Sequence, residues 1–337
     1  MQDFINNERI KYNLKGLILS INDNIYTSGH SMTTEKVNDS MIYRLGGQSI
    51  PIYTTLFLIL VDKGHMKLTD YIADYLPKTP NGNKITLQML CNMTSGLPDV
   101  INSPIMVNDE NVFKQWSSNE LLEIVYQSEP LYEPGSKFYF GHITNILLLC
   151  QAMIIQMNKS IKKLLCHYII HPLNLQNTFY VKQKVPENVL HSFNNYRIPE
   201  YEDSTFWNSS WVSYTGNIVS NMHDLSVIAE HIGNGSLLSK KLYQLQMKNT
   251  LNDDDFYYGL GLAVNWPNIK INKPFTLCWS DANFNGYLGI WLYILKSNTT
   301  ICIQTNTDNN DKFSIKFIMN DLFEQFDLIP GNFYTTM

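Results

Sequence analysis

Apolar positions along the chain follow two different periods, and the change between them divides it. Near the start, GLILSINDNIYTSGH (residues 16–30) reads as a β-hairpin, with an apolar first arm and turn chemistry at Asn22-Asp23-Asn24. TTLFLILVDKGHMKLTDYIADYL then repeats apolar residues at helical spacing. Lys63-Gly64 marks the end of that helix, and Leu68-Thr69-Asp70 predicts the start of another. KITLQMLCNMTSGLP predicts a short helix ended by Thr94-Ser95-Gly96. From there to about residue 248 the pattern gives helices and Pro/Asn-rich loops. After Asp253-Asp254-Asp255 the texture becomes that of strands: YYGLGLAVNW, KPFTLCWS, GYLGIWLYIL and TTICIQTN, with Gly, Asn and Asp at their ends. KFSIKFIMNDLFEQF follows as an amphipathic helix. Strands at both ends around a helical middle predict an α+β fold in one domain spanning 1–337. An α/β lobe would come from about residues 1–65 and 255–337, and a helical lobe from about 66–254.

Composition narrows the partners. Of 337 residues, 44% are hydrophobic and 16% charged, enough apolar surface for a sizeable core. A net charge of -5 without any Lys/Arg cluster offers no general attraction to nucleic acid or to an anionic membrane. The apolar stretch 143–157 is interrupted by Asn145, Gln151 and Gln156 and is too short to span a bilayer. The first residues, MQDFINNERIKYN, are polar and lack the apolar core of a secretory signal, so an intracellular protein is expected, or a virion component if the source is viral. Five scattered cysteines without a Cys-x-x-Cys pair predict free thiols. An Asn-, Ile-, Lys- and Tyr-heavy composition points to an AT-rich genome, such as that of an amoebal giant virus or a low-GC microbe.

Candidate chemistry begins at YRLGGQSIPIYT (residues 43–54), a Gly-Gly turn feeding a helix, which is the geometry that presents a nucleophile at a helix N-terminus. Ser49 is the hydroxyl on that turn. Elsewhere, CHYIIH sets His167 and His171 four residues apart with Cys166 adjacent, a spacing that can put two imidazoles on one helix face. No acidic residue follows as in His-Glu-x-x-His, and the segment reads more simply as a helix running into Pro172. No metal and no cofactor are expected. The acidic runs at 253–255 and 308–311 lack calcium-loop spacing and read as solvated loops.

Six segments in order along the chain resemble the serine β-lactamase-like superfamily, which includes class C β-lactamases, D-alanyl-D-alanine carboxypeptidases (penicillin-binding proteins) and related esterases. KITLQMLCNMTSGLPDV resembles the family's ITIRHLLTHTSGLPDY, and LYEPGSKFYFGHITNILLL resembles FEPGTRFSYSNTNYILLG. IIHPLNLQNTFY, TGNIVSNMHDLSVIAEHI, GNGSLLSKKLYQLQM and YYGLGLAV continue the series. The resemblance implies the β-lactamase/transpeptidase-like fold, an antiparallel sheet flanked by helices with a mainly helical second lobe.

It also implies three catalytic motifs, and this sequence departs from each. The family's FRIGSxTK lies over residues 43–50, so Gly47 stands at the nucleophilic serine and Ile50 at the lysine that takes its proton. Tyr-x-Asn falls on Phe140-Gly141-His142, which keeps the ring and loses the phenol. The Lys/His-Thr/Ser-Gly strand motif falls on Trp279-Ser280-Asp281, before an Asn283–Gly286 loop one residue longer than the family's. Gly47 retains its backbone N–H, half of an oxyanion hole. Losing a nucleophile alone costs such hydrolases about 10⁶ in turnover. The expected catalytic residues are therefore none. The degenerate cleft comprises Gly47, Ser49, Ile50, Phe140, His142, Trp279, Ser280 and Asp281, and serves to bind an unknown small molecule or protein partner or in a structural role. The competing reading is a serine hydrolase rearranged around Ser49, Ser280, His142 and Asp281, since such sets recur by geometry rather than order. On the first reading, Ser49 caps the helix that begins at Ile50-Pro51.

Overall fold

A polar N-terminal stretch winds into helix α1 (Gln2–Lys11), which buries Phe4, Ile5 and Glu8 along one side. Residues 1–107, 111–181, 185–248, 252–253, 256–264, 277–308 and 313–326 are described by the computed structural model. Strands β1 (Gly16–Ile21) and β2 (Asn24–Gly29) form the expected hairpin, closing Ile21 on Asn24. Asn22 turns the corner at φ +51°, a left-handed conformation that Asn tolerates.

Helix α2 (Ile50–Asp62) is buried on all sides along most of its length, as its unbroken apolar sequence requires. It ends where Lys63-Gly64 predicts: Gly64 sits at φ +74°, its N–H donates to Val61 and that of His65 to Leu60, which together satisfy the last carbonyls. The second helix expected at Leu68–Asp70 is instead a single 3-10 turn, Ile72–Asp74, opened by the Tyr71 N–H donating to the Asp74 carboxylate. Beyond it come α3 (Leu87–Cys91), capped by Thr86, and α4 (Ser118–Tyr126), opened by a reciprocal cap between Ser117 and Glu120. Helices α5 (His142–Met157) and α6 (Met222–Gly233) follow.

The strand-rich C-terminal part supplies β3 (Leu277–Phe284), β4 (Tyr287–Ile294) and β5 (Thr299–Thr305), followed by α7 (Ile315–Phe326). One five-stranded antiparallel sheet runs β3-β4-β5-β1-β2, so both ends of the chain meet where Leu19 pairs with Ile303. Two expectations change here. Asn283 and Phe284 belong to β3, and the loop shrinks to a two-residue turn in which Asn285 (φ +48°) and Gly286 (φ +85°) both take the left-handed conformation favoured in tight hairpins. YYGLGLAV is not a strand over its length: Gly261 turns it at φ +89°, leaving bridges of Ala263 to Tyr258 and to Trp279. Asn265 and Trp266 of that segment, the first part of KPFTLCWS, and Asp254, Asp255, Asn309, Asn310 and Asp311 lie outside the described residues.

Alternation along the strands decides what each face meets. Ser20, Cys302 and Tyr293 face α6: Ser226 on that helix donates to Ser20 at 2.8 Å, and Gly233 has no room for a side chain beside the Tyr293 ring. Trp279 and Asp281 face α7, where Lys316 reaches both. Helices α1 and α7 pack together through Phe4 and Phe326, whose rings meet edge to face at 5.5 Å. Layers of helices thus cover both sides of an antiparallel sheet, the α+β arrangement expected from the sequence.

Candidate functional site

The Gly-Gly turn is held from both sides. Before it, Tyr43 and Arg44 pair with Ser220 and Val219; after it, Pro51 sits in the first turn of α2, where its missing N–H costs nothing. Gly46–Ser49 forms a 3-10 turn pressed against β3. Gly46 adopts φ +52°, and a Cβ there would stand 2.8 Å from that of Phe284. At Gly47 a Cβ would lie 2.6 Å from the Asp281 carbonyl oxygen, closer than side chains approach backbone oxygens. The Ser280 hydroxyl donates to the Gly47 carbonyl at 3.2 Å, and the Trp291 indole N–H to that of Gln48 at 3.4 Å. Ile50 is buried beneath the turn. The space a side chain at Gly47 would need is filled by strand backbone.

Ser49 does not cap α2 in the expected way. Its hydroxyl accepts no helix N–H; it donates backward to the Gly46 carbonyl at 2.6 Å, with the Thr215 carbonyl at 3.1 Å, and the residue is fully buried. It pins the turn shut against the loop at Ser210–Gly216.

Phe140 and His142 form a second cluster. Their rings stack at 4.8 Å, and the Tyr258 ring meets Phe140 edge-on at 5.8 Å. His142 Nδ1 lies 3.5 Å from a carboxylate oxygen of Asp99 without hydrogen-bond geometry. Sequence reading passed over Asp99, although it directly follows the Gly96-Leu97-Pro98 turn. Its buried carboxylate accepts the N–H groups of Ile143 and Thr144 at the start of α5, where the helix dipole favours negative charge. Burial pushes the Asp99 carboxyl up, while His142 and these N–H groups pull it back.

Trp279 and Asp281 share a partner on the neighbouring helix. Lys316 Nζ stands 4.5 Å over the Trp279 ring and 3.0 Å from the Asp281 carboxylate, on the α7 side of the sheet. The structure therefore gathers Gly47, Ser49, Ile50 and Ser280 at the turn, joins Phe140 to His142, and sets Trp279 and Asp281 with α7.

Beside the turn opens a cavity of about 520 Å³ that no local sequence signal marks. Trp116, Trp207, Trp211 and Phe284 supply its aromatic walls, and Trp211 stacks on Phe284 at 5.7 Å. Lys114 lies over Trp116, and the Arg197 guanidinium over Trp207. Asn285 presents an amide nitrogen without a hydrogen-bond partner. Such a volume, with few polar groups among aromatic walls, suits a small-molecule ligand.

The His167–His171 segment contains a single π-helical turn, Cys166–Ile170, in place of a regular helix. Among the described residues no group of three or more His, Cys, Asp or Glu is placed to hold a metal ion, and all five cysteines are free. No helix among them is long and apolar enough to cross a membrane.

Solved structures share this architecture at low sequence identity. A D-stereospecific amidohydrolase from Streptomyces sp. superposes with a TM-score of 0.83 at 19% identity, covering 96% of this chain and 98% of that one. The D-amino acid amidase of Ochrobactrum anthropi SV3, solved with D-phenylalanine, gives 0.81 at 17% identity over 95% of both chains. The octameric penicillin-binding protein homologue of Pyrococcus abyssi gives 0.80 at 17% identity, covering 96% of this chain and 76% of that one. A beta-lactamase family model matches residues 18–318, nearly the whole length described above. By that match the chain belongs to the beta-lactamase family, within the serine β-lactamase-like superfamily.

Proposed function

We propose that this chain is a non-catalytic member of its family, in which the old nucleophile turn has become part of the packed interior and the neighbouring aromatic cavity binds a ligand. The observation that supports this most is the 2.6 Å between a Cβ at Gly47 and the Asp281 carbonyl: the turn lacks not only a serine but the space for one. Ile50, buried beneath it, carries no proton acceptor.

A hydrolase rearranged around Ser49, Ser280, His142 and Asp281 finds no observation in its favour. Ser49 and Ser280 both donate to carbonyls, His142 lies against Asp99 and Phe140, and Asp281 pairs with Lys316. A nucleophile needs a base within hydrogen-bond reach, and no hydrogen bond joins any two of the four among the described residues.

Purified protein should be assayed against a chromogenic cephalosporin, nitrophenyl esters and D-phenylalanine amide, the last prompted by the ligand of the Ochrobactrum amidase. No turnover above the uncatalysed rate is expected, with D-phenylalanine or the cephalosporin instead changing tryptophan fluorescence in a Trp211-dependent way. Turnover abolished by Ser280→Ala would establish the hydrolase reading in its place.

A further inference from the structure

A second cavity, of about 620 Å³, lies on the helical side, between α4, α5 and the loop at Ser210–Gly216. We propose that it is a binding site for a neutral saccharide of one or two rings, independent of the turn at Gly47. Ser213 carries the argument. It stands at φ +54° and ψ -128°, a backbone conformation side chains rarely adopt and one that persists where the surroundings impose it. It is 6% exposed, lines the cavity, and its hydroxyl has no hydrogen-bond partner.

The surroundings hold that strain in place. Asn217 Nδ2 donates to the Ser213 carbonyl at 2.9 Å and reaches the Tyr180 phenol at 3.4 Å, while its own oxygen accepts from Ser209. Gln151 donates to the Tyr214 phenol at 3.0 Å. Both phenol oxygens thus already accept; Tyr214 also has the Ser118 hydroxyl beside it, so the proton of Tyr180 is what the pair has to offer a ligand. Burial pushes both phenols well above their ordinary value, so they stay neutral donors and neither serves Ser213 as a base. That disfavours a nucleophilic serine and favours recognition.

The ligand class follows from the walls. Hydroxyls and amides both give and accept hydrogen bonds, as sugar hydroxyls do. Among the described lining residues the one charged side chain is Lys162, which leaves no carboxylate to recognise a cation. Trp116 adds an apolar wall on which the C–H face of a sugar ring can lie.

Titration of the full chain with glucose, N-acetylglucosamine and maltose, followed by tryptophan fluorescence and calorimetry, is expected to show saturable binding of at least one. Ser213→Gly suits the positive φ and removes the hydroxyl; it is expected to weaken that binding about tenfold while leaving the thermal midpoint unchanged or raised. Tyr180→Phe is expected to weaken it to a similar extent. Flat titrations with all three sugars, a cavity holding water only, would overturn the proposal. So would binding that survives both variants, or binding lost in Trp211→Ala and retained in Ser213→Gly, which would seat the sugar in the other cavity.

Discussion

The two faces of the central sheet have been treated in opposite ways. On the face toward α2 and α6, the turn at Gly46–Ser49 meets β3 and β4 through glycine backbone, the Ser280 hydroxyl and the Trp291 indole, with no charged side chain on the turn itself. On the face toward α1 and α7, charge is plentiful: Lys316 joins Asp281 and Trp279, and Lys11 joins Glu8 and Asp321. Charge here belongs to the helix layer that holds the sheet, whereas the turn depends on close packing. The first face should therefore respond to added volume, and the second to pH and salt.

The largest effect is expected at Gly47. Gly47→Ser drives a Cβ into the Asp281 carbonyl and should destabilise the fold by about 2–4 kcal/mol, read by urea unfolding, without creating hydrolysis. A Gly47→Ser protein as stable as the parent would show that the turn has slack and break the contrast between the faces.

Next comes the pH response of the α1–α7 face. Burial, reinforced by Asp321, pushes the Glu8 carboxyl up to about 7. Asp321 is drawn below its ordinary value: burial opposes this, and the hydrogen bonds from Lys11 and Tyr12 outweigh it. Because the folded Glu8 value exceeds the unfolded one, its stabilisation is complete below the ordinary carboxylate range and is lost as pH rises through about 7. Glu8→Gln should match the parent in acid and exceed it by about 1–3 kcal/mol at about pH 8. Thermal unfolding across pH checks this, and an unchanged pH slope in Glu8→Gln would remove the titrating group from this face.

Much of this division was legible in the sequence, and the remainder has identifiable causes. The β1–β2 hairpin, the strands β4 and β5 and the amphipathic α7 were readable because their apolar periods are local. So was the tight turn feeding α2, since Gly46-Gly47 and Pro51 punctuate the start of an otherwise apolar run. Helix α1 was not, because Phe4 and Ile5 are sparse within a polar stretch and gain their meaning only against Phe326. The facing of Trp279 and Asp281 toward α7 depends on strand parity. The aromatic cavity joins Trp116 to Trp207 and Trp211 across a long loop of chain, and Asp99 acquires its role from α5. Tertiary contact supplies all of these.

Ser49→Ala returns to the turn with a smaller effect. Loss of the hydroxyl leaves the buried Gly46 and Thr215 carbonyls without its proton, a cost of about 1–2 kcal/mol that should not vary with pH. Denaturation at several pH values tests this, and a pH-dependent penalty would mean that a titrating group couples to the turn after all.

Smallest of all is Lys316→Met. The ammonium is partly exposed, and its contacts with Asp281 and Trp279 should together contribute less than about 1 kcal/mol, diminishing as salt is added. A larger, salt-independent loss would give Lys316 a structural weight comparable to that of the closed turn.

The most direct test of the closed turn is intact-mass spectrometry after prolonged incubation with a fluorescent penicillin and, separately, a fluorophosphonate. The account predicts the unmodified mass in both. A stoichiometric adduct mapped to a serine near the turn, Ser49 or Ser280, would contradict it.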